Sequence, residues 1–178
     1  MDILRAVSFP DILIAWALHE YRGRNRRHLP AHLVDLPLEQ ARRVALHVLV
    51  QVRQGVILPM LASGIKECFH VRLSAIDIPR MRVMGSDPVT NWSRNKLAEA
   101  DTGDGSADYV RQLATSPEPV SGPFVAIGRS ADGPIVFFDG MHRLSAWIAH
   151  VDEGRGYPIE GYLVITEWPS PAHELPAA

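Results

Sequence analysis

The stretch Ile135-Val136-Phe137-Phe138-Asp139-Gly140-Met141-His142-Arg143-Leu144-Ser145-Ala146-Trp147-Ile148 decides how this chain is read. Four β-branched and aromatic residues form a short apolar strand, which Asp139-Gly140 breaks. From Met141 the apolar spacing changes to three and four (Leu144, Trp147, Ile148), so a helix over Met141–His150 is expected. A strand that turns straight into a helix has a physical use. The first helical turn leaves several N–H groups without intrahelical partners, and the helix dipole favours an anion there. Gly140 removes the side chain that would block close approach. Arg143 offers a planar, permanently charged fork that suits phosphate oxygens, and His142 donates a hydrogen bond or moves a proton near neutral pH. Phosphate binding follows from that chemistry, with Arg143 expected on an exposed turn. A plainer reading stays open, in which His142 is a satisfied structural histidine and Arg143 pairs with Asp139.

Working outward, Phe124-Val125-Ala126-Ile127 is a second short strand, joined to Ile135–Phe138 by the turn-rich connector 128–133. Arg129, in that connector, either faces the Asp139 turn from the neighbouring strand end or simply solvates the connector. Ile159–Ile165 returns as a strand. Near residue 70, Phe69, Val71, Leu73 and Ala75 alternate with His70, Arg72 and Ser74, the period of a half-buried strand. Asn91–Ala100 and Ala107–Ala114 are expected helices. The loop between them invites a calcium reading, which fails: Gly103 stands where an oxygen ligand is required, and no closing Glu follows. At the N-terminus, Ser8 as cap and Pro10 in the first turn start a largely buried helix that runs to about Tyr21. Pro37 opens a second helix carrying Leu38, Ala41, Ala45, Val48, Leu49 and Val52 on one face, and Gly55 stops it. The fold class is α+β: a mixed sheet with packed helices. Residues 1–64 form an N-terminal helical extension, 65–168 the main domain and 169–178 a loosely ordered tail.

The chain has 178 residues, 47% of them hydrophobic and 21% charged, ordinary values for a protein with a real core. Its longest apolar run, Ile12–Leu18, is far below the roughly 20 residues that span a bilayer. The single cysteine, Cys68, excludes an internal disulfide framework and suits a reducing cytoplasm. No Cys/His cluster has zinc spacing, so a metal would be magnesium or manganese held by oxygen, with Asp139 as candidate ligand or, alternatively, as the group that orients His142. A net charge of −2 does not announce nucleic acid. The segment Arg22-Gly23-Arg24-Asn25-Arg26-Arg27-His28 is the densest positive stretch. It makes Arg22, Arg24, Arg26 and Arg27 the candidates for DNA backbone contacts, against the alternative of a solvated loop.

The run Phe138-Asp139-Gly140-Met141-His142-Arg143-Leu144-Ser145-Ala146 resembles the ParB/sulfiredoxin superfamily, over roughly Phe69 to Thr166. In ParB-type proteins the matching Gly-x-x-Arg turn binds nucleotide phosphates; in sulfiredoxin a Gly-Cys-His-Arg turn binds ATP and carries the catalytic thiol. Met141 stands in place of that Cys, so sulfinic-acid repair is not expected. The helix-turn-helix segment of chromosome-partitioning proteins has no room after Ile165. A stand-alone member remains, best suited to the fertility-inhibition or oncogenic-suppression group. For that group the resemblance implies an ATPase coupled to DNase activity, acting in inhibition of plasmid or T-DNA transfer. It implies ATP as cofactor, with Gly140, Met141, His142, Arg143, Arg129, Asp77, Arg80 and Arg82 as nucleotide contacts and His142, Asp139 and Arg143 as the catalytic set. The alternatives are a nucleotide-switched module that binds DNA or protein, and a small-molecule kinase acting on a free amino acid.

Overall fold

Two short, almost wholly buried runs, apolar up to Gly128 and Asp139, form the central strands. They are β4 (Phe124–Gly128), buried throughout, and β5 (Ile135–Asp139), buried except at Val136. The computed structural model describes residues 1–22, 64–83, 88–98 and 106–167, with positions 37, 40, 44, 47, 49, 57, 61 and 62 between. Around β4 and β5 lie β1 (Asp2–Ala6), β2 (Ile65–Leu73), β3 (Met81–Val83) and β6 (Ile159–Thr166). Together they make a six-stranded mixed sheet in the order β1-β2-β6-β4-β5-β3. Pairing is antiparallel for β1–β2, β2–β6 and β4–β5, and parallel for β4–β6 and β3–β5.

Alternation along the strands sends side chains to two helical layers. One face carries Cys68, Val125, Ile127, Phe138 and Val164 against Ile12, Trp16 and Ala17 of α1 (Phe9–Arg22), with Leu49 and Ile57. The other carries Val71, Phe124, Ala126, Phe137 and Leu163 against Leu144, Trp147 and Ile148 of α4 (Met141–Asp152). Val89, which opens α2 (Val89–Ala98), joins that second core, and α3 (Ser106–Thr115) completes the layer beside α4. The apolar positions expected to face inward on α4 are those that do.

Local chemistry explains the boundaries. Ser8 Oγ accepts from the Asp11 amide at 3.2 Å while the Asp11 carboxylate accepts from the Ser8 amide, so the cap expected at Ser8 is a reciprocal one. After Leu73 the alternation read as far as Ala75 does not continue the strand. The Asp77 carboxylate accepts from the Ser74 amide (3.0 Å) and hydroxyl (3.3 Å), and residues Ala75–Arg80 wind into a 3-10 helix. Ile76 is left 84% exposed.

The stretch read as a helical extension also holds a strand. β1 pairs with β2 as a fully exposed edge, with a register irregularity between Ile3 and Arg5 that blunts it. Of the second expected helix, Gln40, Val44, His47 and Leu49 are described, all helical, with Leu49 buried. Its remaining positions, the 101–105 loop and the expected tail lie outside the described residues. No helix among the described residues is long and apolar enough to cross a membrane.

The irregular segment 116–123 is held by side chains beyond α4. Arg155 donates to the Ser116 carbonyl at 2.7 Å, and the Val120 amide donates to the Tyr157 hydroxyl at 2.7 Å. That hydroxyl also bonds His150 Nδ1 at 2.8 Å, and His150 Nε2 reaches the Ala114 carbonyl at 3.0 Å. The network fixes where the chain enters β4, and therefore where the Pro123 carbonyl points.

Candidate functional site

Gly140 sits at φ +86°, in the left-handed region, and lets β5 pass directly into α4. A Cβ there would lie 3.0 Å from Phe124 Cβ and 3.1 Å from Arg143 Nη2. The glycine therefore serves both the turn and the close approach of β4. The first intrahelical bond of α4 is Leu144 N–H to the Gly140 carbonyl, at 2.8 Å. The amides of Met141, His142 and Arg143 precede it. Gly140, at the N-cap, has no side chain with which to cap this end, and the first turn contains no acid.

Arg143 does not lie on an exposed turn. Its side chain is 17% exposed, and its terminal nitrogens are engaged on three sides. Nη2 donates to the Pro123 carbonyl at 2.7 Å and to Asp139 Oδ2 at 3.2 Å; Nη1 lies 2.6 Å from His19 Nε2. Nε is buried with no partner among the described residues. The pairing with Asp139 that the sequence left open as the plainer reading is thus formed. An arginine so placed is a structural tie between β4, β5 and both helical layers, with donor capacity left over.

His142 points elsewhere. Its ring centroid lies 6.2 Å from that of Trp92 on α2 and 6.2 Å from that of Tyr109 on α3. Trp147 is core, as expected, and its indole donates to the Tyr157 carbonyl at 2.7 Å.

The remaining candidates gather at the other end of β5. Met81, which follows Arg80, pairs with Ile135, so Asp139 lies four residues, or roughly 13 Å, further along the strand. Arg80 donates to Asp77 and to the Ala131 carbonyl (2.7 Å), and Arg82 to the Pro79 and Met81 carbonyls. Arg129 was read as able to face the Asp139 turn. Because β4 is antiparallel to β5, with Ile127 opposite Val136, it emerges instead at the Ile135 end, exposed. The structure brings together Asp139, Gly140 and Arg143, and separately Asp77 and Arg80. Arg22 ends α1, while Arg24, Arg26 and Arg27 lie outside the described residues.

Asp139 does not make a fitting cation site. Its carboxylate is 92% buried against a guanidinium, and no group of three or more His, Cys, Asp or Glu converges among the described residues. Cys68 is buried and its thiol is pushed up to about 11 by burial, so it is no thiolate nucleophile.

The sequence reading missed His19. The available signal was a histidine one turn past Trp16 on an otherwise apolar helix, where a half-buried imidazole requires a polar partner. No protein-family model matches the chain, and no curated protein or solved structure matches it either.

Proposed function

We propose that this chain binds the phosphates of a nucleotide, ATP in the first instance, at the start of α4, as a protein of ParB/sulfiredoxin type. One arrangement carries the reading. A left-handed glycine at the N-cap leads into a 12-residue helix whose first turn holds an arginine and no acid. The Met141–Arg143 amides and the helix dipole attract an anion, and Arg143 contributes Nη1 by exchanging its bond with His19. The expected activity is ATP hydrolysis coupled to DNA cleavage, in inhibition of plasmid or T-DNA transfer. Phosphoryl transfer depends on positioning and charge stabilisation, which this turn supplies without a covalent intermediate. No step is assigned to a metal, because Asp139 is committed to Arg143.

A second reading, a nucleotide-switched module that binds DNA or protein without chemistry, is favoured by one specific observation. Arg143, on α4, bonds His19 of α1 on the opposite face of the sheet, so a phosphate that takes that bond alters how α1 is held. The discriminating experiment adds labelled ATP to the purified protein, with and without DNA and free serine. Release of inorganic phosphate supports the hydrolase, transfer to serine a kinase, and binding without either the switch. Absence of ATP binding in calorimetry removes all three.

A further inference from the structure

Helices α1 and α4 cover opposite faces of the sheet, and a bond crosses between them around its end: Arg143 Nη1 to His19 Nε2, at 2.6 Å. We propose that His19 is a proton-operated latch, which holds α1 in place when neutral and loosens it when protonated.

The chemistry leaves little freedom. A guanidinium carries only N–H donors and is not deprotonated in proteins. His19 Nε2 must therefore accept with its lone pair, and any ring proton sits on Nδ1. Protonation places a hydrogen on that lone pair. Two donors and two positive charges then face each other at hydrogen-bond distance.

Arg143 is not positioned to retreat. Its Nη2 is fixed by the Pro123 carbonyl at 2.7 Å and by Asp139 at 3.2 Å. The imidazole is seated against Gly122, at φ +101°, where an added Cβ would run into the ring. The charged groups facing His19 include Arg143 from α4 and, through the same guanidinium, Asp139 from β5. The turn Ser121-Gly122-Pro123 brings no titratable side chain. The displacement therefore falls on α1, whose Ile12, Trp16 and Ala17 cover Cys68, Val125, Ile127, Phe138 and Val164. The latch biases the docking of α1 and does not replace that apolar contact. It goes beyond the nucleotide reading and stands without it; where both hold, the proton that loosens α1 also frees Nη1 for a phosphate.

Hydrogen exchange on the full chain tests this without any ligand. Protection factors of the α1 amides are compared with those of β2 and β6 at about pH 8 and about pH 5.5, either side of the ordinary imidazole range. The expected result is a selective loss in α1 on acidification, bounded by the tenfold per pH unit that one proton allows. His19→Gln keeps an acceptor at every pH and is expected to flatten the profile. His19→Lys, which carries only donors, is expected to loosen α1 at both values. An α1 profile that tracks β6 in the parent, or pH dependence that survives in His19→Gln, overturns the latch. The His19 ring protons give a check that needs no variant: their titration midpoint by NMR must coincide with that of α1 opening, and a mismatch overturns the proposal equally.

Discussion

Two Asp–Arg pairs flank β5, one at each end. At the Ile135 end, Asp77 accepts from Arg80 Nη2 at 3.1 Å, and Arg80 Nη1 reaches the Ala131 carbonyl. At the other end, Arg143 pairs with Asp139 and reaches the Pro123 carbonyl. Both arginines tie a carboxylate to a strand connection, yet they differ in what surrounds them. Asp77 also accepts from the Met1 ammonium at 2.7 Å and from Ser74, so its oxygens are surrounded by donors. Arg143 leans on a histidine, keeps a buried Nε without a partner among the described residues, and stands in the first turn of a helix whose N-cap is a glycine. The lesson concerns leftover capacity. A charge pair saturated by opposite charge and fixed dipoles is committed to holding the fold together, while Arg143 keeps one donor unspent beside a positive dipole end, the feature on which the proposed phosphate site rests.

The largest effect expected from breaking this comparison is on stability at the saturated corner. Asp77→Ala strands the Met1 ammonium and a mostly buried Arg80, and is expected to cost about 3 kcal/mol by urea unfolding while leaving ATP affinity unchanged. Gly140→Ala comes next, at roughly 2 kcal/mol, because alanine is strained at a positive φ and its Cβ presses on Phe124. Unlike Asp77→Ala, it should also weaken ATP binding, and calorimetry separates the two.

Acid provides a third probe. Burial works to raise the Asp77 pKa, but hydrogen bonds from the amino terminus and Ser74, with the charges of the terminus and Arg80, outweigh it and hold the carboxyl below its ordinary value. A carboxyl lowered in the folded state gives its full stabilisation above the unfolded value of about 3.9 and loses it as pH falls through the folded one. The stability gap between the parent and Asp77→Asn should therefore narrow below about pH 4, in a urea series at falling pH. The smallest effect is expected for Arg82→Ala. Its bonds go to nearby carbonyls only, so stability should change by no more than about 0.5 kcal/mol and ATP binding should not change.

Much of this fold was legible because its central elements carry unmixed signals. The period shift at Asp139-Gly140 located the β5–α4 junction, and Phe124–Ile127 and Ile159–Ile165 fell within a residue of β4 and β6. The edges were not legible. β1 is exposed at every position and shows no alternation, and β3 is three residues long. The 3-10 helix depends on Asp77 reaching back to Ser74, which hydrophobic periodicity does not record.

At the site, the sequence showed which residues share a turn but not the directions their side chains take. Successive positions on a helix diverge by about 100°, so His142 turns to Trp92 and Tyr109 while Arg143 turns to β4 and α1. His19 lies 124 positions from Arg143, and a contact of that separation leaves no local pattern.

The most direct measurement follows backbone amide signals of the ¹⁵N-labelled protein during addition of ATP. If the nucleotide phosphates sit on the first turn of α4, the Met141, His142 and Arg143 amides shift together and saturate at one affinity, while the Asp77 and Arg80 amides stay in place. Shifts confined to the Asp77–Arg80 corner, or none at millimolar ATP, would contradict a phosphate site at the Asp139–Arg143 turn.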